Sequence, residues 1–184
     1  MDVLGRYDID VDLPNAALSL YRQRFCPMGA APFPGPSTTL RRSDLGLSRS
    51  NRPVVEARLN GRPIRSLLDT GATFTSIDDA KATAAGGTTP TDGGAATGRA
   101  STAVAASVEF RRLKFTDLNV GGITYRNPTL WTANLGNTAD AIIGLDILNR
   151  RRMWYSLASD TIYLGPDIPP PAAAQPAPPA PAKR

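Results

Sequence analysis

Residues 53–69 read "PVVEARLNGRPIRSLLD": Val55, Ala57 and Leu59 alternate with Val54, Glu56 and Arg58, and Asn60-Gly61 separates this run from a second one. Alternation with a period of two buries one face of a strand. Asn-Gly tolerates the positive φ angles of a two-residue hairpin turn, so "RPIRSLLD" is read as the returning strand, with Asp69 at its end. Further on, "TAVAASVEF" places Val104, Ala106, Val108 and Phe110 on one face, and Gly121-Gly122 turns the chain into "ITYRNPTLWTA". With 16 Gly and 17 Pro in 184 residues and 41% hydrophobic residues, the composition fits one β-rich core and not a helical bundle. Two short helices are expected. One runs over 78–85, capped by Ser76 or Asp78 and ended by Gly86-Gly87; the other runs over 145–152 after Gly144.

Composition shifts divide the chain. Residues 26–48, led by "CPMGAAPFPGPS", read as a Pro/Gly linker, and residues 166–184 are a Pro/Ala tail that favours extended polyproline conformations. The folded unit is expected over 49–165. Gly and Ala dominate 86–106, which suits a mobile hairpin lying over something better than a rigid buried strand pair.

Several chemistries drop out. The absence of His removes His-based triads and most zinc sites, and the single Cys26 has no internal disulfide partner. No metal, nucleotide or organic cofactor is implied. The net charge of +5 is scattered over groups such as Arg41-Arg42, Arg111-Arg112 and Arg150-Arg151-Arg152, with no interleaved aromatic residues, so nucleic acid is not an expected partner. No apolar run has the length of a membrane span, and the acidic start "MDVLGRYDIDVD" is no secretory signal; a periplasmic or secreted location would need an export signal upstream. Asp79 and Asp140 read as solvated carboxylates or caps, and Trp131 and Trp154 as packing residues.

The stretch "SLLDTGATFTSID" then sets Leu67-Leu68 before Asp69-Thr70-Gly71, with Ala72 and Thr73 after, and "AIIGLDIL" lies 75 residues beyond Asp69. This combination resembles the retropepsin-like aspartic protease family, bacterial type, over residues from about 53 to 164. The resemblance implies an all-β acid-protease lobe, closed and barrel-like, with one or two short helices. It implies an aspartic-type endopeptidase in which Asp69 is one of two acids sharing a proton around a water. It assigns Thr70 to bridge to the partner lobe, Gly71 and Ala72 to line the substrate site, Thr73 to support them, and Ile142, Ile143 and Gly144 to cross beneath the turn. Gly93, Gly94 and Gly98 fall in the expected covering hairpin, within 88–100. The viral cation after the second-motif glycine is replaced here by Leu145 and Asp146.

One lobe supplies one acid, so the second comes from a homodimer mate or another lobe. At an offset of 144 residues, Asp2/Asp146, Leu4/Leu148, Arg6/Arg150, Leu13/Leu157 and Leu20/Leu164 are identical, and Ile9/Met153 and Leu18/Ile162 stay apolar. Residues 1–25 therefore read as the closing helix and strand of a preceding lobe, and the chain as the carboxy-terminal part of a tandem protein. The bland alternative is an independent extension on the edge strands. Two other functions compete with proteolysis: a noncatalytic peptide-binding scaffold that retains the fold, and a basic surface protein acting through its tail.

Overall fold

The computed structural model describes residues 6–22, 33, 37–41, 52–91, 97–100, 108–136, 139–156 and 159–168. Among these residues, strands dominate and the two helices are short. The first expected hairpin forms from β4 (Val54–Leu59) and β5 (Arg62–Leu68), with Val54 opposite Leu67 and Leu59 opposite Arg62. Its turn takes φ of 48° at Asn60 and 74° at Gly61, the positive pair that Asn-Gly accommodates. Asn60 also anchors the corner: its side-chain oxygen accepts from the N–H groups of Thr116 and Asp117, and its amide nitrogen donates to the Ala85 carbonyl.

Three further strands open the chain: β1 (Tyr7–Asp12), β2 (Ala17–Arg22) and β3 (Thr38–Arg41). After β5 come β6 (Ser76–Asp78) and helix α1 (Asp79–Ala84), then β7 (Thr97–Ala100), β8 (Val108–Lys114), β9 (Asp117–Val120), β10 (Ile123–Arg126) and β11 (Thr129–Ala133). The chain closes with β12 (Ala141–Ile143), helix α2 (Leu145–Leu148), β13 (Arg152–Ser156) and β14 (Thr161–Leu164).

These strands make two sheets over the described residues. The larger has the order β10-β9-β4-β5-β12-β6-β11-β8-β7 and the smaller β2-β1-β13-β14-β3. Most pairs are antiparallel, but β12 runs parallel to β5 and β11 parallel to β6. One apolar core spans both sheets: Val55, Leu59, Ile77, Leu118 and Ile143 of the larger pack with Met153, Ile162 and Leu164 of the smaller. No helix among the described residues is long and apolar enough to cross a membrane.

The structure corrects several expectations. Helix α2 stops at Leu148 rather than Arg152, because alternation resumes there: Arg152, Met153 and Trp154 enter β13, a strand that lies between β1 and β14. The expected linker 26–48 contains strand β3, whose Leu40 packs against the core opposite Ile162. Residues 166–168, assigned to the tail, are held to the lobe by the Ile168 N–H on the Arg150 carbonyl. Residues 7–12 and 17–22 form an antiparallel hairpin, whereas the helix expected from the repeat falls on residues 1–4, outside the described residues. In the region expected to form the covering hairpin, β7 pairs antiparallel with β8, and residues 92–96 and 101–107 lie outside the described residues. Asp140 is buried, not solvated. Its carboxylate accepts from the Arg65 backbone N–H at 2.9 Å and the Arg65 guanidinium at 3.2 Å.

Candidate active site

Strand β5 ends at Leu68 because the chain must leave the sheet there, and Asp69 is the first residue of the turn. Its backbone N–H still donates to the Ile143 carbonyl at 3.0 Å, so the acid is held at the last rung between β5 and the parallel strand β12. The half-buried carboxylate turns back on its own loop, where Oδ1 accepts the Gly71 N–H at 2.8 Å. An ideal Cβ on Gly71 would lie 3.1 Å from that oxygen, so the small residue permits this close approach. Thr70 and Gly71 are exposed.

The turn is strapped from below. The Leu145 N–H donates to the Ala72 carbonyl at 2.8 Å and the Asp146 N–H to the Thr73 carbonyl at 3.3 Å. Gly144 passes so close that a Cβ there would lie 2.6 Å from the Phe74 carbonyl carbon and 2.8 Å from the Ala72 oxygen. The structure therefore brings Asp69, Thr70, Gly71, Ala72, Thr73, Ile142, Ile143 and Gly144 into one neighbourhood. Gly98 stands apart on β7, where its Cβ position lies 3.7 Å from the Trp131 ring; Gly93 and Gly94 lie outside the described residues.

One residue that the sequence did not single out, Thr75, completes the strap together with Asp146. Thr75 is fully buried, and its hydroxyl donates to Asp146 Oδ1 at 2.7 Å while accepting the Gly144 N–H at 3.1 Å. The Thr75 N–H donates to the same carboxylate oxygen at 2.9 Å. Asp146 thus holds the loop by hydrogen bonds. Its position in the first turn of α2 was visible in the sequence; its partner 71 residues away was not.

A second carboxylate secures the strand under the turn. Asp140 precedes β12, pairs with Arg65, and lies 3.6 Å from Lys81. Burial pushes its carboxyl up, but the Arg65 backbone N–H, the Arg65 guanidinium and the Lys81 charge together outweigh that and hold it below the ordinary 3.8. Asp79, the other acid read as a cap or solvated group, opens α1 and pairs with Arg111 at 2.8 Å, whereas the capping side chain is Asp78. Beside the turn stand Phe74, 56% exposed, and Trp131, with ring centroids 6.5 Å apart; Phe110 meets Trp131 edge-on. Trp154 is buried against Tyr21.

The basic clusters are dispersed into separate contacts. Arg111 pairs with Asp79, Arg112 stacks on Trp131, Arg150 pairs with Asp167, Arg152 with Asp10, and Arg151 is wholly buried. Among the described residues, no three Cys, Asp or Glu side chains converge as a metal site.

A β lobe that lifts one strapped carboxylate on an Asp-Thr-Gly corner defines a retropepsin-like architecture. A family model described as aspartyl protease matches residues 55–147, half of the chain, and the chain belongs to that family. Among solved structures, a retropepsin-like aspartic protease from Rickettsia conorii is similar over 71% of this chain and 99% of its own, at 17% identity and a TM-score of 0.48. The EIAV protease complexed with the inhibitor HBY-793 is similar over 55% of this chain and 88% of its own, at 21% identity and a TM-score of 0.41. The retroviral protease-like domain of Ddi1 from Leishmania major is similar over 65% of this chain and 98% of its own, at 18% identity and a TM-score of 0.42. No curated protein sequence matches the chain.

Proposed function

We propose that this chain supplies one half of an aspartic endopeptidase site, with Asp69 as its acid and a facing aspartate from a partner lobe as the other. The observation that carries the reading is the strapped corner: Asp69 is fixed by the Ile143 carbonyl and the Gly71 N–H while Thr70 and Gly71 stay exposed. Two carboxylates held face to face cannot both ionise, so the pair retains one proton. The ionised member takes a proton from a water between them as its oxygen attacks the peptide carbonyl carbon. The protonated member hydrogen-bonds the developing oxyanion. The tetrahedral intermediate then collapses as a proton passes to the leaving nitrogen and the C–N bond breaks. In this reading Gly71 and Ala72 present backbone groups to an extended peptide, and the hairpin of β7 and β8 covers it. The exposed ring of Phe74 offers an apolar contact for a substrate side chain.

The test is cleavage of an unstructured protein across acidic to neutral pH, comparing the wild type with Asp69→Asn in the partnered form. The expected result is a loss of at least about a hundredfold in the variant, the scale of general acid–base catalysis. Undiminished cleavage by Asp69→Asn would remove the residue from the reaction.

A further inference from the structure

We infer that the hairpin of β1 and β2 is the closing hairpin of a second lobe of this architecture, joined on its amino-terminal side, whose core seats on Leu18 and Leu20. This names the partner that the proposed dyad requires, and so rests on that reading for its catalytic consequence.

Two registers carry it. Within the first hairpin Ile9 lies opposite Leu20 and Val11 opposite Leu18; within the second, Met153 lies opposite Leu164 and Tyr155 opposite Ile162. These are the same pairings at the 144-residue offset seen in the sequence. The contact between the hairpins is also self-inverse: Ile9 pairs with Tyr155, Val11 with Met153, and Asp10 with Trp154. Replacing every residue by its counterpart returns the same set, so a local twofold axis passes between Asp10 and Trp154.

A twofold axis carries whatever packs on one hairpin onto the other. On the side of β13 and β14, strand β3 lies along the outer edge, and Ile162 and Leu164 are 2% and 1% exposed over the core. Their counterparts Leu18 and Leu20 are 65% and 43% exposed, and among the described residues no strand pairs with the outer edge of β2. Apolar faces of this kind mark interaction sites. A cavity of about 510 Å³ opens there, lined by Ile9, Val11, Leu13, Leu18, Leu20 and Thr70. Thr70 is the neighbour of Asp69, so a lobe filling this space touches the catalytic corner.

A second copy of this chain fits less well. The inner edge of β13, the edge a symmetric mate would need, is occupied by β1 of the same chain. Displacing β1 would break the paired hydrogen bonds from Arg152 to Asp10, at 2.9 and 2.6 Å.

The test compares the 184-residue chain with the same chain extended in its reading frame on the amino-terminal side, by sedimentation, hydrogen exchange and peptide cleavage. The expected extension encodes a lobe with its own Asp-Thr-Gly or Asp-Ser-Gly turn, and the extended chain sediments as a monomer. The outward backbone amides of β2 should exchange at least about a hundredfold more slowly in it than in the shorter chain. Leu18→Asp combined with Leu20→Asp should abolish that protection. An extension without such a lobe, or unchanged exchange, would overturn the inference. So would a dimer of the 184-residue chain that those two substitutions dissociate, because it would put a second copy on the face. Protection without cleavage would keep the lobe and remove the proposed reaction; an active homodimer of the shorter chain would do the reverse.

Discussion

Gly144 and Thr75 show how little room surrounds the acid. A methyl group at Gly144 meets backbone atoms of Phe74 and the Ala72 carbonyl oxygen, which accepts the Leu145 N–H of α2, so neither side can yield cheaply. Gly144→Ala should cost about 2–3 kcal/mol, the scale of overpacking a close-packed site, measured by chemical denaturation. Thr75→Val preserves shape but removes a hydroxyl that both donates and accepts. The Gly144 N–H then loses its acceptor in a buried place, and a cost of about 1–3 kcal/mol is expected in the same measurement. Gly144 announced itself in the sequence by its place after two apolar residues. Thr75 did not, because a threonine acquires this role only when a chain segment far away arrives beside it.

Strand β12 is the element on which the corner rests. It is only three residues long and lies between β5 and β6, so its position depends on what fastens its start. Asp140 does this: its N–H donates to the Arg65 carbonyl, its carbonyl accepts from Asp78, and its carboxylate takes two donors from Arg65. A carboxyl held below its ordinary value contributes stability that is present above the unfolded value and lost as pH falls through the folded one. The stability of this lobe should therefore decline below pH 3.8, and Asp140→Asn should lower stability at neutral pH while flattening that acid limb. Thermal unfolding between pH 2 and 7 checks both. The strand itself was legible as "AIIG", but the burial of Asp140 was not. Its surroundings in the sequence are small and polar, and only the approach of Arg65 and Lys81 encloses it.

At the scale of the molecule, the smaller sheet joins residues from both ends of the chain. Arg152 grips Asp10 with two hydrogen bonds across 142 residues of sequence, and Asp10 is almost wholly buried. Removing one partner of a buried pair strands the other, but Arg152 is 31% exposed, which reduces the penalty. Asp10→Asn should cost about 2 kcal/mol, and protease nicking between the first hairpin and β3 should quicken as β1 detaches. The aspartyl protease family membership and the all-β character belong to this scale as well, and both were readable from two short motifs and a hairpin.

Local rules were enough for what depends on neighbours in the chain. Asn60-Gly61 set the first turn, alternation set β4 and β5, and the Asp-Thr-Gly corner after two leucines marked the acid, since each rests on a few consecutive residues and their backbone preferences. The repeat of residues 1–20 in 145–164 was also visible as letters. What letters could not express was register: that two hairpins would meet about a twofold axis, leave Leu18 and Leu20 bare, and set Thr70 at the edge of the space between. That depended on packing among segments more than a hundred residues apart, whose free energy comes from contacts that exist only after the chain has folded.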